Sequence, residues 1–113
     1  MNQDTTRHAV RPRVLIVDDD KALGESLADE LTTDGFDTTH VSSSREAAHL
    51  LEQDFDILVT DLRMPVVDGL GLLALSRKIA PARPVIVMTA FSAVDTAIES
   101  IRQGAYHYLT KPF

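Results

Sequence analysis

Acidic and hydroxyl residues closely follow three short apolar runs in this sequence. The runs are VLIV, ILV and VIVM, and the polar residues are Asp18, Asp19, Asp20, Asp61 and Thr89. Carboxylates that lie together repel each other, since two unit charges about 4 Å apart cost roughly 4 kcal/mol at an effective dielectric constant near 20. A divalent cation removes this cost. Because the ligands would be oxygens and the sequence has no Cys, a hard ion such as Mg²⁺ fits better than zinc.

An aspartate beside Mg²⁺ is suited to phosphoryl transfer. Asp61 could be the carboxylate nucleophile that forms an acyl phosphate. The hydroxyl of Thr89 and the ammonium of Lys111 could then receive the oxygens of the transferred group. Asp20 is better interpreted as an N-cap, because it stands directly before Lys21 at the predicted start of the first helix.

Alternating apolar runs and amphipathic segments predict the elements that must position these residues. Strands are predicted at 14–17, 37–41, 57–60, 85–88 and 106–109, and helices at 21–34, 45–53, 69–79 and 94–102. This alternation is typical of a doubly wound α/β domain with a parallel sheet of five strands. The runs DTTHV and YHYL are mixed and therefore predict edge strands, which fits the order 2-1-3-4-5. In that order, ligands bind at the carboxyl ends of the strands.

Capping signals support the predicted helices. Ser43 with Glu46, and Ser92 with Asp95, have the spacing of capping boxes. Gly35 stands where a left-handed C-terminal cap would end the first helix. We therefore expect helices to begin after the two serines and the first helix to end before the glycine.

Composition restricts the class of protein. The chain has 113 residues, with 17 acidic and 11 basic side chains and a net charge of −6, which disfavours direct binding to nucleic acid. It has no apolar run long enough for a membrane span and no secretory signal, so we expect a cytoplasmic location and no membrane contact. Residues 1–12 are predicted to be a flexible leader, and residues 13–113 one domain.

Four segments, VLIVDDD, DILVTDLRMPVVDGL, VIVMTAF and YLTKPF, resemble the signature blocks of response-regulator receiver domains of the CheY-like superfamily. The resemblance implies a flavodoxin-like fold that accepts a phosphoryl group from a sensor histidine kinase. It identifies Asp61 as the phosphoacceptor. The protein's Mg²⁺ site would consist of Asp19 as a direct ligand, Asp18 as an outer acid, Asp61, and the Arg63 backbone carbonyl.

The same resemblance implies a conformational switch. Thr89 and Lys111 would hold the phosphoryl oxygens, and Tyr108 would turn inward when Thr89 moves towards the phosphate. Without the resemblance, an aromatic residue in an edge strand is usually core packing. Lys111–Pro112 matches a Lys-Pro bond that is cis in the family, and Val66 stands where many members have Gly, so the loop after Asp61 is expected to be stiffer.

The segment AFSAVDTAIESIRQGAYHYLTKPF is most similar to receivers of NtrC-type sigma-54-dependent transcription activators. The expected partners are a histidine kinase, an output domain in transcription regulation, and a second copy in a homodimer through the fourth helix and fifth strand. The family continues into a fifth helix that is absent from this sequence, so the domain is expected to be C-terminally incomplete. Without it, we expect the apolar sides of 14–17 and 106–109 to be exposed.

Three alternative functions share parts of this pattern. A haloacid-dehalogenase-like phosphatase also forms an aspartyl phosphate, but Arg63 stands two residues after Asp61, where that class has a second Asp. A flavin-binding module would need a hydroxyl- and glycine-rich loop after VLIV, and a phosphorylation-independent interaction domain would not need every active-site position. We therefore expect no enzymatic turnover on an external substrate. The four histidines are interpreted as solvated or packing residues.

Overall fold

The computed structural model describes residues 11–90 and 94–111. The strands are β1 (Arg13–Val17), β2 (Asp37–Val41), β3 (Ile57–Asp61), β4 (Val85–Ala90) and β5 (His107–Lys111). The helices are α1 (Lys21–Thr33), α2 (Ser44–Leu50), α3 (Gly69–Ile79) and α4 (Val94–Arg102). All strands are parallel, in the order β2-β1-β3-β4-β5, so the predicted fold and both predicted edges are confirmed.

Three strands extend further towards their carboxyl ends than predicted. Asp61 is the last residue of β3 and pairs with Met88 of β4. Thr89 lies within β4, and Lys111 is the last residue of β5, paired with Ala90. The sheet ladder therefore fixes the backbone of these candidate site residues, which were predicted to stand just after the strands.

Side chains and glycines define the helix ends. Asp20 is the N-cap of α1, where its side chain accepts a hydrogen bond from the Leu23 amide, as predicted. Ser43 caps α2 in the same way, and Gly35 has the predicted positive φ of 102° after α1. The second predicted capping box includes Ser92, which lies outside the described residues, as does most of the predicted leader at 1–12.

The core lies on both faces of the sheet. Helix α1 covers one face, where Leu27 and Leu31 pack near Ile16. Helices α2, α3 and α4 cover the other face, and their apolar residues pack around Leu15 and Val17. None of the described helices is long and apolar enough to cross a membrane.

The expected exposure of the first strand was wrong. All four apolar residues of 14–17 are at most 2% exposed, because α1, Phe36 and the neighbouring strands cover this central strand. The expectation is confirmed for part of 106–109, where Tyr106 is 75% exposed and Leu109 is 36% exposed. Neighbouring strands on both sides protect a central strand, whereas an edge strand has a neighbouring strand on one side only.

A buried arginine joins the loop after α2 to the end of α3. Arg83 donates to the carbonyls of Leu51, Gln53 and Phe55 at 3.0–3.1 Å and to the Ser76 hydroxyl at 3.2 Å. Burial lowers the pKa of Arg83 from its ordinary value, while the nearby acids at 54 and 56 oppose this shift. The four hydrogen bonds compensate for the loss of water around the guanidinium. This arrangement stabilises the loop that leads into β3.

Candidate functional site

Three aspartates meet at the carboxyl ends of β1 and β3. Asp18 and Asp19 directly follow β1, and Asp61 ends the adjacent β3, so parallel pairing brings them to one edge of the sheet. One carboxylate oxygen from each lies within 4.8 Å of the others. Asp18 and Asp61 are buried, while Asp19 is exposed to solvent. The cluster is therefore a pocket with one open side.

Lys111 reaches this cluster from the other end of the chain. Its Nζ lies 2.9 Å from Asp18 Oδ2 and 3.5 Å from Asp61 Oδ2. The closer partner is Asp18, with which Lys111 makes a hydrogen bond across 93 positions of sequence. Lys111 thus lies where an anion attached to Asp61 would meet an ammonium group. The predicted cis bond to Pro112 lies outside the described residues.

The environment shifts the pKa of both Asp61 and Lys111. Burial raises the pKa of Asp61; the Lys111 ammonium acts in the opposite direction, and Asp18 and Asp19 raise it further. For Lys111, burial lowers the pKa, but the hydrogen bond to Asp18 and the charge of Asp61 outweigh burial, so the net shift is upward. Lys111 therefore stays an ammonium group, and ionised Asp61 is at a disadvantage without a further cation.

The residues present fit a hard divalent cation. The donors in the cluster are carboxylate oxygens, which Mg²⁺ prefers, and they lie close enough together for the group to hold one ion. The exposed side at Asp19 leaves room for water, which Mg²⁺ usually retains. Arg63, whose carbonyl is the predicted fourth ligand, lies two residues after Asp61 and is exposed.

Hydrogen bonds position the segment that carries Asp18 and Asp19. The Asp20 amide donates to Asp18 Oδ1 at 2.9 Å, which fixes the rotation of that carboxylate. The His40 ring lies 3.1 Å from the Asp18 carbonyl oxygen. This ring occupies the space beside Gly24, where an added Cβ would lie 2.1 Å from His40 Nε2. His40 packs against Gly24, within the roles predicted for the histidines, but its contact with the Asp18 carbonyl was not predicted.

The loop between β3 and α3 starts and ends against the site. The Gly69 amide donates to the Leu62 carbonyl at 2.8 Å, and a Cβ on Gly69 would lie 2.3 Å from the Asp61 carbonyl oxygen. Within the loop, Val66 has a φ of 73° and is the single described residue other than glycine with a positive φ. The Val67 amide donates to the Pro65 carbonyl at 2.9 Å, so residues 65–67 form a three-residue turn of the classic γ type, which is strained.

The two residues of the predicted switch lie on neighbouring strands. Thr89 is buried, and its hydroxyl donates to the Ala90 carbonyl at 3.2 Å. Tyr108 is half-buried and packs against the core on the face of α2, α3 and α4. Its register partner on β4 is Val87, two residues before Thr89. The pair thus lies on adjacent strands, and Thr89 directly follows Met88, the register partner of Asp61.

Sequence reasoning found the carboxylates, Thr89 and Lys111 but missed the side chains that hold their loops in place. His40 and Ser44 belong to this second group: Ser44 forms hydrogen bonds with Pro65 and Val67 in the loop after Asp61. The sequence contained one signal for Ser44. It stands next to Ser43, and only one of two adjacent serines can be the N-cap, which leaves the other hydroxyl for a different partner. Their partners lie about 20 residues away and become evident only in the folded chain.

Comparisons with known proteins agree with this geometry. A family model described as the response regulator receiver domain matches residues 14–113. The response regulator protein FleR of Pseudomonas aeruginosa is 45% identical over 102 residues, which cover 89% of this chain and 22% of FleR. The transcriptional regulator NtrC of Klebsiella pneumoniae is 42% identical over 99 residues, which cover 87% of this chain and 21% of NtrC. The chain thus spans about a fifth of the length of these relatives.

Solved structures show the same architecture. A receiver domain protein from Clostridium thermocellum has a TM-score of 0.86 at 30% identity, and the match covers 90% of this chain and 83% of that one. A response regulator from Burkholderia pseudomallei, solved with a phosphorylated aspartic acid, a calcium ion and citrate, has a TM-score of 0.82 at 27% identity, over 90% of this chain and 61% of that one. With the fold, the acidic pocket and these relatives in agreement, the chain belongs to the receiver domains of two-component response regulators and is related to those of NtrC-type transcription activators.

Proposed function

We propose that Asp61 accepts a phosphoryl group from a phosphohistidine of a partner sensor kinase, with Mg²⁺ present. One observation carries this proposal: the buried Asp61 carboxylate meets two further carboxylates within 4.8 Å and an ammonium at 3.5 Å. This combination provides a nucleophile, a cation site and an anion-binding group in one pocket. The Burkholderia relative, with its phosphorylated aspartic acid and calcium ion, supports the same assignment.

In the proposed reaction, one carboxylate oxygen of Asp61 bonds to phosphorus while the bond from phosphorus to the donor's imidazole nitrogen breaks. The electron pair of the broken bond stays on the imidazole. Asp18, Asp19, Asp61 and the Arg63 carbonyl would hold Mg²⁺, which when bound neutralises charge on the phosphoryl oxygens. Lys111, already 3.5 Å from Asp61, would exchange part of its contact with Asp18 for a phosphoryl oxygen.

The proposed output is a change in the surface between Thr89 and Tyr108. A phosphoryl group replaces a monoanion by a dianion, and the Thr89 hydroxyl, which now donates to Ala90, would turn to this stronger acceptor. Tyr108 packs beside β4 and would move further inward as Thr89 moves. The altered face of α4 and β5 would then act on an output domain in transcription regulation or on a second copy.

This function does not include turnover on an external substrate. A phosphatase that works through an aspartyl phosphate needs a general acid near the nucleophile, and the residue two positions after Asp61 is Arg63. Hydrolysis would be limited to the domain's own acyl phosphate.

The test is mass spectrometry of the intact protein after incubation with acetyl phosphate, with and without Mg²⁺. We expect the mass gain of one phosphoryl group, dependent on Mg²⁺ and absent in Asp61→Asn. Asp20→Asn is the matched control: Asp20 lies in the same acidic run but caps α1, and Asn caps equally well, so phosphorylation should be unchanged. Phosphorylation of Asp61→Asn at the wild-type rate would contradict the assignment.

A further inference from the structure

A buried serine on α2 is hydrogen-bonded to the loop that follows Asp61. The Ser44 hydroxyl donates to the Pro65 carbonyl at 2.8 Å and accepts from the Val67 amide at 3.1 Å. Ser44 is 4% exposed, whereas the loop residues are less buried, so these bonds are partly shielded from water. We call this pair of hydrogen bonds the Ser44 bridge. It uses the donor and one acceptor position of a single hydroxyl group.

The Ser44 bridge spans the strained turn at residues 65–67. Its two partners are the residues on either side of Val66, whose φ of 73° is unfavourable for a β-branched side chain. Val66 is 74% exposed, so packing of its own side chain contributes little to holding this backbone conformation. Such strain persists only where surrounding structure opposes relaxation, and the Ser44 bridge supplies that opposition from 21 residues away in sequence.

The turn at 65–67 determines where residues 63 and 64 lie. At its start the loop is fixed by the Leu62 amide, which donates to the Met88 carbonyl at 3.0 Å. At its end it is fixed by Gly69, which donates to the Leu62 carbonyl. Arg63 and Met64 lie between the Leu62 anchor and the Ser44 bridge at Pro65. The Arg63 carbonyl, proposed above as a metal ligand, is therefore placed by those two anchors.

We propose that Ser44 is a positioning residue for the cation site, acting through the turn at 65–67 to place the Arg63 carbonyl beside the carboxylates. This inference rests on the proposed function, because it assumes that Mg²⁺ binds at Asp18, Asp19 and Asp61. It adds a residue on α2 that touches neither the cation nor the phosphoryl group. Loss of the hydroxyl lets the turn relax away from positive φ and weakens cation binding without altering any of the three carboxylates.

The adjacent serine provides a matched control. Ser43 is exposed and caps α2 by accepting from the Glu46 amide at 3.3 Å, with no hydrogen bond to the loop among the described residues. Both Ser43→Ala and Ser44→Ala remove one hydroxyl from the start of the same helix, and both are expected to lower stability. Only Ser44→Ala should affect the loop.

The experiment measures Mg²⁺ affinity by isothermal titration calorimetry for the wild type and both variants. It also measures amide hydrogen exchange of Val67 by NMR in metal-free protein. We expect Ser44→Ala to weaken Mg²⁺ binding about tenfold, as is usual when a group that orients a ligand is removed. Exchange at Val67 should be faster in Ser44→Ala, because the amide loses the Ser44 hydroxyl and keeps only the Pro65 carbonyl, in a turn that is then free to relax. Ser43→Ala should change neither quantity.

A double variant tests whether Ser44 acts through the turn, separately from any general loss of stability in Ser44→Ala. In the Val66→Gly background the turn is no longer strained, so adding Ser44→Ala should weaken Mg²⁺ binding by a smaller factor than it does in the wild type. An equal factor in both backgrounds would show that Ser44 does not act through the turn. Unchanged Mg²⁺ affinity in Ser44→Ala, or equal weakening in Ser43→Ala, would overturn the inference while leaving the proposed function intact. Absence of Mg²⁺ binding in the wild type would instead overturn the proposed function.

Discussion

Replacing Val66 by glycine should stabilise the domain, although it removes an apolar side chain. Val66 adopts a φ of 73° in the turn at 65–67, where its Cβ crowds the backbone and a β-branched side chain is especially disfavoured. Glycine has no Cβ and adopts this conformation freely. Because Val66 is 74% exposed, the substitution removes little buried apolar surface.

Two opposing effects set the magnitude. A residue held in an unfavourable backbone region costs about 1–3 kcal/mol, which Val66→Gly recovers. Glycine also increases the freedom of the unfolded chain, which costs about 0.4–1 kcal/mol. The net expectation is a gain of about 1 kcal/mol in the free energy of unfolding, equivalent to a rise of roughly 4–8 °C in the midpoint of thermal unfolding for a domain near this size.

The assay is urea and thermal unfolding of metal-free protein, followed by far-UV circular dichroism. Val66→Ala is the control at the same position, since it shortens the side chain but keeps the Cβ that causes the strain. We expect Val66→Gly to be clearly more stable than Val66→Ala. A glycine variant no more stable than the alanine variant, or less stable than the wild type, would refute the assignment of strain to Val66.

Three further predictions concern Arg83 and Asp61. Arg83→Met should lower the free energy of unfolding by about 3 kcal/mol, because it leaves three backbone carbonyls without their buried donor. Urea unfolding measures this loss. A loss under about 1 kcal/mol would contradict the role of Arg83 as a hydrogen-bond donor to these carbonyls. Since burial raises the pKa of Asp61, and Mg²⁺ binds the ionised carboxylate, Mg²⁺ affinity should fall with decreasing pH through this raised pKa. In metal-free protein the same shift makes stability decrease as pH rises from the ordinary aspartate range through the raised pKa of Asp61. Titration calorimetry and urea unfolding across pH measure these two effects, and affinity that stays constant down to the ordinary aspartate range would contradict the first.

The sequence predicted the parts of this structure that depend on local pattern. Continuous apolar runs mark strands buried on both faces, and mixed runs mark edges, so the two edge strands followed from the pattern of burial and fitted the doubly wound order 2-1-3-4-5. Parallel strands place their carboxyl ends together, which brought Asp18 and Asp61 to one edge. Asp20 and Ser43 were identified as caps because a cap bonds to an amide only three residues away.

The prediction that 14–17 would be exposed was wrong because it left out contacts made by other parts of the chain. It considered the cover that the family's fifth helix provides but not the cover that the central strand receives from α1 and from strands on both sides. The continuous apolar run at 14–17 itself indicates burial on both faces, and this signal was the correct one. At the edge, where neighbours are fewer, the same reasoning was confirmed for Tyr106 and Leu109.

Only the tertiary structure decided which side chains hold the site together. Lys111 contacts Asp18 more closely than Asp61, and Ser44 reaches Pro65 and Val67 across more than 20 residues. Local patterns encode secondary structure because their spacing repeats along one segment, whereas these contacts depend on the register of separate strands and the approach of a helix to a loop. Register and layer packing result from the collective burial of the core, so such pairs are fixed only when the whole chain has folded.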